Sequence, residues 1–218
     1  GAPLLVFAVT TFAFTAVEAS FSWLIIIRFK EIMTDTAYMR AGALLWNTLP
    51  ETARTLRVET VTTQVTSQIF GIVGFTILLT QGAVMGGLAK RVGERRLIQL
   101  GAIILTFTLI GIALTHDLLM MKFLAATLAI GNGIMSPSLS SLITKYAGRH
   151  EMGAVSGAQH GLSSFARIIA PPINNSLVMV NTAIPFLLST VMMCGAVVLS
   201  FRLREAKPPE DASQTMPA

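Results

Sequence analysis

The chain has 218 residues, of which 53% are hydrophobic and only 12% are charged. Because soluble domains carry about 25% charged residues, this composition excludes an ordinary water-soluble globular protein. The formal net charge is +5, but no block of lysines and arginines is interleaved with aromatic residues, which excludes a typical nucleic-acid-binding protein.

Six apolar stretches are each long enough to cross a bilayer as a helix, which takes about 20 residues. In chain order they are Pro3–Ile27, Ile69–Ala89, Leu97–Thr115, Leu118–Thr144, Gly153–Val180 and Ala183–Phe201. Most of their connections are short, which predicts antiparallel neighbours in a bundle. We therefore expect an all-α membrane protein, with a transmembrane bundle of six helices over residues 1–204. Residues 205–218 are polar and rich in proline, which predicts a disordered cytoplasmic tail.

Residues 28–64 form the one long connection, and we expect a structured insert on the outer side. Apolar residues recur there at helical spacing, which predicts an amphipathic helix at the outer headgroups: Ala37, Tyr38, Ala41, Leu44, Leu45 and Leu49. Thr48 and Glu51 have the spacing of a capping box, and Pro50 favours the start of a second short helix towards Arg57. The insert is either a solvated cap over the bundle or a lid that gates a ligand.

Basic residues are concentrated on one side of the predicted bundle. Nine of them follow the second, fourth and sixth spans: Lys90, Arg91, Arg95, Arg96, Lys145, Arg149, Arg202, Arg204 and Lys207. The short connections on the other side hold only Lys122, about one turn inside the fourth span. Because cytoplasmic loops are enriched in Lys and Arg, we expect both ends of the bundle in the cytoplasm, with the bundle in the cell's inner membrane.

A tight turn with small residues and four cations lies between the second and third spans. Residues 82–97 read Gly-Ala-Val-Met-Gly-Gly-Leu-Ala-Lys-Arg-Val-Gly-Glu-Arg-Arg-Leu. This segment resembles the loop signature of the major facilitator superfamily of transporters, and it matches at Gly86, Arg91, Gly93, Arg95 and Arg96. It departs from the signature at Lys90, where the family has Asp, and at Glu94, which interrupts the basic run. The resemblance implies that this turn takes part in conformational switching.

The fourth and fifth spans extend the resemblance. The fifth carries Arg167 followed by Ala170-Pro171-Pro172, and it is similar to the eleventh helix of drug-exporting members. The fourth carries Gly131-Asn132-Gly133 and Pro137, and it is similar to the tenth helix. The resemblance implies the C-terminal half of a twelve-helix transporter, a half built from inverted three-helix repeats. It also implies a missing N-terminal six-helix half as a partner, so we interpret the chain as a fragment, with a half-size protein as the alternative.

Two formal charges lie well inside predicted spans, Glu18 in the first and Arg167 in the fifth. A charge at the bilayer centre costs about 2.5–3.5 kcal/mol on insertion scales, so such a residue usually faces a cavity or a partner. Glu18 is our candidate for binding and releasing a coupling proton. Arg167 is our candidate for holding a substrate anion or neutralising Glu18. The structural alternative is a fixed ion pair between the two.

Polar and small residues supply the other candidates. Asn132 and Gln81 are candidates for the wall of a substrate site, and we expect Gly131 and Gly133 to open the backbone around Asn132. Kinks at which helices bend are expected at Pro137, Pro171 and Pro172. Two glycine pairs have the spacing of closely packed helices, namely Gly82 with Gly86 and Gly153 with Gly157.

The functional expectation rests on the family resemblance. It implies transport of a small solute by alternating access in a secondary active transporter, and the likeness to drug exporters implies a proton-coupled efflux antiporter. The alternative is a non-transporting membrane scaffold or receptor built on the same fold. Neither a Gly-x-Ser-x-Gly elbow nor an HExxH pair is present in the sequence, so we do not expect an enzyme. Membrane lipid and a small-molecule substrate are the expected partners, with no metal, cofactor or nucleic acid.

Overall fold

The computed structural model describes residues 2–147 and 151–203, apart from the side chains of residues 2, 43, 44, 83–85 and 90. The helices are α1 (Ala2–Arg28), α2 (Lys30–Ala41), α3 (Ala43–Thr48), α4 (Glu51–Leu79), α5 (Met85–Val92), α6 (Glu94–Leu114), α7 (Leu118–Tyr146), α8 (Met152–Val180) and α9 (Ile184–Phe201). A π-helical turn, Thr80–Val84, joins α4 to α5. The predicted tail, the cations Arg149, Arg204 and Lys207, and the side chain of Lys90 lie outside the described part.

The predicted class, an all-α membrane bundle, is confirmed. Within the described residues, five helical segments are long and apolar enough to cross a membrane: Pro3–Arg28, Glu51–Gly82, Glu94–Leu114, Leu118–Tyr146 and Ile184–Phe201. With 29 residues, α8 is long enough as well, but it is less hydrophobic because it carries Arg167 and two adjacent asparagines, Asn174 and Asn175. The crossing of the membrane by α8, and with it the full count of six spans, stays a prediction.

The helix that contains the second predicted span begins before that span does. α4 begins at Glu51, so residues 51–64 of the predicted insert are the first turns of the second long helix. This helix continues through the π-helical turn and α5 to Val92. At 1.5 Å per residue it is about 60 Å long, twice the thickness of a bilayer core of about 30 Å. Its polar first turns therefore extend beyond the membrane.

The rest of the insert also differs from the prediction. The single amphipathic helix expected there is broken at Gly42, whose φ of 80° is a conformation that favours glycine. The capping box is absent, because α4 has Pro50 at its N-cap with no side-chain hydrogen bond. The Thr48 hydroxyl instead donates to the carbonyl of Leu45 at 2.9 Å, since Thr48 is the last residue of α3.

The insert is packed against the long helix. Met33 and Ala37 of α2 are buried together with Val61 of α4, and all three belong to the main hydrophobic core. Arg40 Nη1 also donates a hydrogen bond to Gln64 Oε1 at 2.6 Å. The insert is therefore an integral part of the bundle. This end is called the insert end below, and the opposite end, with the turn at Gly93, is called the basic end.

The main contacts between the long helices stay the same when the helices are exchanged in pairs. α1 packs on α8 and α9, whereas α7 packs on α4 and α6, and α6 and α9 pack on each other. Exchanging α1 with α7, α4 with α8 and α6 with α9 reproduces the same set of neighbours. Each long helix and its counterpart are three passes apart in an alternating bundle, so they run in opposite directions. This is the arrangement of inverted three-helix repeats.

Arg28 forms hydrogen bonds that link several helices at the insert end of the bundle. Its Nη1 atom donates hydrogen bonds to the carbonyls of Ile112, Ala113 and Thr115 at 3.0, 2.9 and 3.1 Å, and its Nη2 atom donates to Thr182 Oγ1 at 3.0 Å. A cation at the C-terminal end of α6 is favourable because that end of a helix carries partial negative charge. One side chain thus ties α1 to the end of α6 and to the connection before α9.

Candidate functional site

A polar cavity of about 200 Å³ lies between α1, α7 and α8. Glu18, Asn132 and Arg167 all line it, and each lies near the middle of its helix. Hydroxyl groups complete the polar wall: Thr10, Thr11, Thr15, Ser136 and Ser163. Three of the four predicted site residues therefore meet at one place. The fourth, Gln81, is an exposed residue of the π-helical turn and does not line this cavity.

Glu18 and Arg167 share the cavity without forming an ion pair. Among the residues that the structure describes, no pair within 4 Å joins the two side chains, so the fixed pair considered from the sequence is not observed. Both residues are exposed in the described bundle. Charges in the middle of transmembrane helices face a water-filled cavity, a partner or a ligand. The arrangement leaves a carboxylate and a guanidinium available on one surface.

Asn132 lines the cavity, but the glycines beside it have a different role from the one expected. A Cβ atom added to Gly131 would lie 3.0 Å from Leu105 Cγ of α6, and one added to Gly133 would lie 3.2 Å from Thr80 Cβ in the π-helical turn. Contacts this short show that both positions are occupied by close helix packing. The two glycines therefore seat α7 against its neighbours and do not open space around Asn132.

Glu18 also borders a second, apolar cavity of about 140 Å³ between α1, α4 and α7. Its walls include Phe14, Phe21 and Phe70, and the rings of Phe21 and Phe70 meet edge to face with centroids 6.0 Å apart. The Glu18 carboxylate therefore lies at the junction of a polar and an apolar cavity. Small-molecule sites likewise combine apolar walls with a few polar groups.

The hydroxyl groups of the polar cavity were not among the predicted site residues. Thr11, Thr15 and Glu18 are four and three positions apart, so they lie on one face of α1. This spacing is a signal that the sequence does contain. Hydroxyls are common in transmembrane helices, and nothing in their spacing alone separates a cavity wall from helix packing.

The turn with the loop signature is held by several contacts at the basic end. Gly93 precedes α6 with φ 87° and ψ 149°, a backbone conformation that is almost confined to glycine. Glu94 Oε1 lies 2.7 Å from Lys145 Nζ and also accepts a hydrogen bond from the Ser141 hydroxyl. Arg95 Nη2 donates to the carbonyl of Phe201 at 2.8 Å. Glu94, which departs from the family signature, thus fastens the turn to the end of α7.

Neither glycine pair packs closely against another described residue. A Cβ atom added to Gly82, Gly86, Gly153 or Gly157 would meet no other atom within 4 Å among the described residues. The expected close contacts are therefore not made inside this bundle, and two glycine-lined surfaces on α4–α5 and α8 are left uncovered. Both α7 and α8 continue through the prolines at which kinks are expected: Pro137, Pro171 and Pro172.

Comparison with known proteins gives two findings. The family model described as Major Facilitator Superfamily matches residues 36–217. The chain is also 25% identical over 141 residues to "Multidrug resistance protein 1" of Bacillus subtilis (strain 168), a match that covers 58% of this chain and 36% of that protein. The match thus covers much less than two thirds of the length of this relative.

Proposed function

Since the chain belongs to the Major Facilitator Superfamily, whose members are membrane transporters, we propose that it forms the C-terminal half of a proton-coupled exporter that works by alternating access. The observation that carries the proposal is the meeting of Glu18, Asn132 and Arg167 at one mid-depth cavity. In this proposal the Glu18 carboxylate alternately holds a proton and a substrate, and Arg167 favours loss of the proton when the substrate enters.

The substrate is proposed to be an amphiphilic small molecule. Its polar group would contact Glu18 and Asn132, while its apolar part would lie against Phe21 and Phe70 in the neighbouring cavity. A relative that carries the name "Multidrug resistance protein 1" supports this class of substrate for the full-length protein.

The N-terminal half is proposed to cover the exposed face of the site. Gly82 and Gly86 line one uncovered surface and Gly153 and Gly157 line another, on helices that are exchanged by the two-fold relation. Small residues allow the helices of a second bundle to approach closely. With the second half in place, Glu18 and Arg167 would face a shared central cavity and not lipid.

The basic end is proposed to lie in the cytoplasm. Arg91, Arg95, Arg96, Lys145 and Arg202 are the described cations of that end, and positive charge marks the cytoplasmic side of membrane proteins. Efflux then corresponds to loading of the central cavity from the basic end and release at the insert end.

The proposal is tested with the full-length protein in proteoliposomes to which a panel of amphiphilic dyes is added from outside. Glu18→Gln keeps the size of the side chain but removes its titration, so proton-driven accumulation should be lost while exchange of dye at equilibrium survives. Glu31→Gln, a charge change at an exposed residue of α2 outside the cavity, is the matched control. Undiminished accumulation by Glu18→Gln would remove Glu18 from the mechanism. A folded wild-type protein that moves no dye under any gradient would favour the scaffold or receptor.

A further inference from the structure

A groove of about 990 Å³ lies at the insert end between α1, α2, α3 and α4. Its apolar wall is formed chiefly by Trp23, Ile26 and Ile27 of α1, opposite Trp46 and Val58. Four charged residues, two basic and two acidic, stand along it: Lys30, Glu51, Arg54 and Glu59. The groove lies between the insert and the end of α1, and the proposed transport mechanism makes no use of it.

The walls of the groove are held in place by contacts of their own. Arg54 Nε donates to the carbonyl of Trp46 at 3.0 Å, and its guanidinium carbon lies 5.9 Å from the centroid of the Trp46 ring. The Tyr38 ring of α2 meets the Trp46 ring of α3 edge to face with centroids 5.9 Å apart, and Met33 of α2 is buried. A ligand would therefore enter a groove that is already formed.

The position of the groove puts it within reach of membrane lipid. Trp23, Ile26 and Ile27 are 41%, 44% and 42% exposed, and they lie in the last two turns of a helix long and apolar enough to span the membrane. Tryptophan at such a place marks the boundary between acyl chains and headgroups. The charged residues lie on α2 and the first turns of α4, beyond that boundary. The apolar wall thus lies at the level of the acyl chains and the charged rim lies at the level of the headgroups, which is the order of these parts in a lipid.

The charged residues along the groove indicate which lipid headgroup it would bind. In the described part of the chain, no hydrogen bond or ion pair occupies the side chains of Lys30, Glu51 or Glu59. The two acids and two bases of the rim sum to zero, which favours a ligand that carries both signs over a purely anionic or cationic one. A phosphodiester accepts hydrogen bonds from an ammonium, and a primary amine donates to a carboxylate.

We propose that this groove binds one phosphatidylethanolamine molecule from the adjoining leaflet. Its phosphate faces Lys30, its amine faces Glu59, and one acyl chain lies along Trp23 and Ile27. The proposal depends on α1 spanning the membrane and is independent of the direction of transport, the substrate and the role of Glu18.

Native mass spectrometry of the full-length protein in detergent tests the proposal. Equal amounts of phosphatidylethanolamine, phosphatidylcholine and phosphatidylglycerol are added, and the retained lipid is counted. The ethanolamine lipid should dominate, because the quaternary amine of choline donates no hydrogen bond and phosphatidylglycerol brings an unmatched negative charge. Lys30→Gln and Glu59→Gln should each reduce its retention by about three- to five-fold, the range expected for charge pairs open to water.

The matched controls change the same charges outside the groove. Glu31→Gln and Arg57→Gln replace exposed residues that do not line it, and neither should alter retention. Equal retention in groove and control variants that melt at the wild-type temperature would overturn the proposal. Preferential retention of phosphatidylglycerol would also overturn it. A third contradicting result would be that the organic cation tetraphenylphosphonium displaces the ethanolamine lipid from wild type but not from Glu59→Gln. Loss of lipid in variants that still transport dye would leave the proposed function intact.

Discussion

Glu94 and Lys145 form an ion pair in which one partner is much more exposed to solvent than the other. Their charged atoms lie 2.7 Å apart, and the Glu94 side chain is 13% exposed whereas that of Lys145 is 55% exposed. The pair joins the start of α6 to the last turn of α7. Because a nearly buried charge needs a partner more than an exposed one does, the two residues should not be equivalent on mutation.

Removing Lys145 should therefore destabilise the protein more than neutralising Glu94. Among the described residues, Lys145→Ala leaves the Glu94 carboxylate with the Ser141 hydroxyl as its partner, whereas Glu94→Gln leaves an ammonium that water can solvate. We expect a loss of about 1 kcal/mol for Lys145→Ala and less than about half of that for Glu94→Gln, from thermal unfolding of the full-length protein in detergent. Glu151→Gln, an exposed acid at the same end, is the control. Equal losses for the two variants would contradict this account.

Gly93→Leu should slow transport and lower stability. The φ of 87° and ψ of 149° at Gly93 place any residue with a Cβ in a strained region, at a cost of about 1–3 kcal/mol. The control is Gly195→Ala, at an exposed position of α9 where an added Cβ meets nothing within 4 Å. Rates of dye transport at matched expression, together with melting temperatures, provide the measurement. Unchanged rates would limit the turn to a signal for topology.

Arg28→Ala should loosen the insert end. The substitution removes the hydrogen bonds to three carbonyls and to Thr182, and we expect a loss of about 2–3 kcal/mol. Arg28→Lys should recover only part of this loss, because a single ammonium cannot reproduce the fork of the guanidinium. Arg57→Ala, which removes an exposed arginine of α4, should leave the melting temperature within about 1–2 °C of wild type. Full rescue by Lys would show that charge alone matters at Arg28.

Single cysteines report the proposed orientation. In a background with Cys194→Ser, which removes the one cysteine of these 218 residues, and with any cysteine outside them also replaced, Glu94→Cys and Ala147→Cys lie at the basic end and Asn181→Cys at the insert end. An impermeant thiol reagent added outside intact cells should label Asn181→Cys only. Labelling of Ala147→Cys from outside would reverse the orientation, and permeabilised cells supply the control for reactivity.

The membrane class and most helix boundaries follow from the sequence because apolar length is a local signal. The second span is the exception. Residues 51–64 are polar and rich in threonine, so the sequence predicts only a short helix towards Arg57 there, but the buried Val61 and the contacts of α4 with α2 show that they belong to the second long helix. A polar helix that extends beyond the bilayer has no hydropathy signal at its outer end, and tertiary packing decides its start.

Part of the candidate site could also be predicted from the sequence. Glu18 and Arg167 stand out because a charge in an apolar span is costly, and the structure brings them to one cavity with Asn132. The sequence did not indicate that Arg28 and Glu94 hold helices of the bundle together. Their partners are 84 or more and 47 or more positions away along the chain, and backbone carbonyls such as that of Ile112 carry no sequence signature.

The helix from Glu51 to Val92 connects the insert end with the basic end, and its point of easiest bending lies between them. The π-helical turn Thr80–Val84 departs from the α-helical hydrogen-bonding pattern, and helices bend at such turns. Thr80 packs closely against Gly133 of α7, so this turn is held by a neighbouring helix. A bend at this turn would let the turn at Gly93 change its position while the insert stays packed against α4.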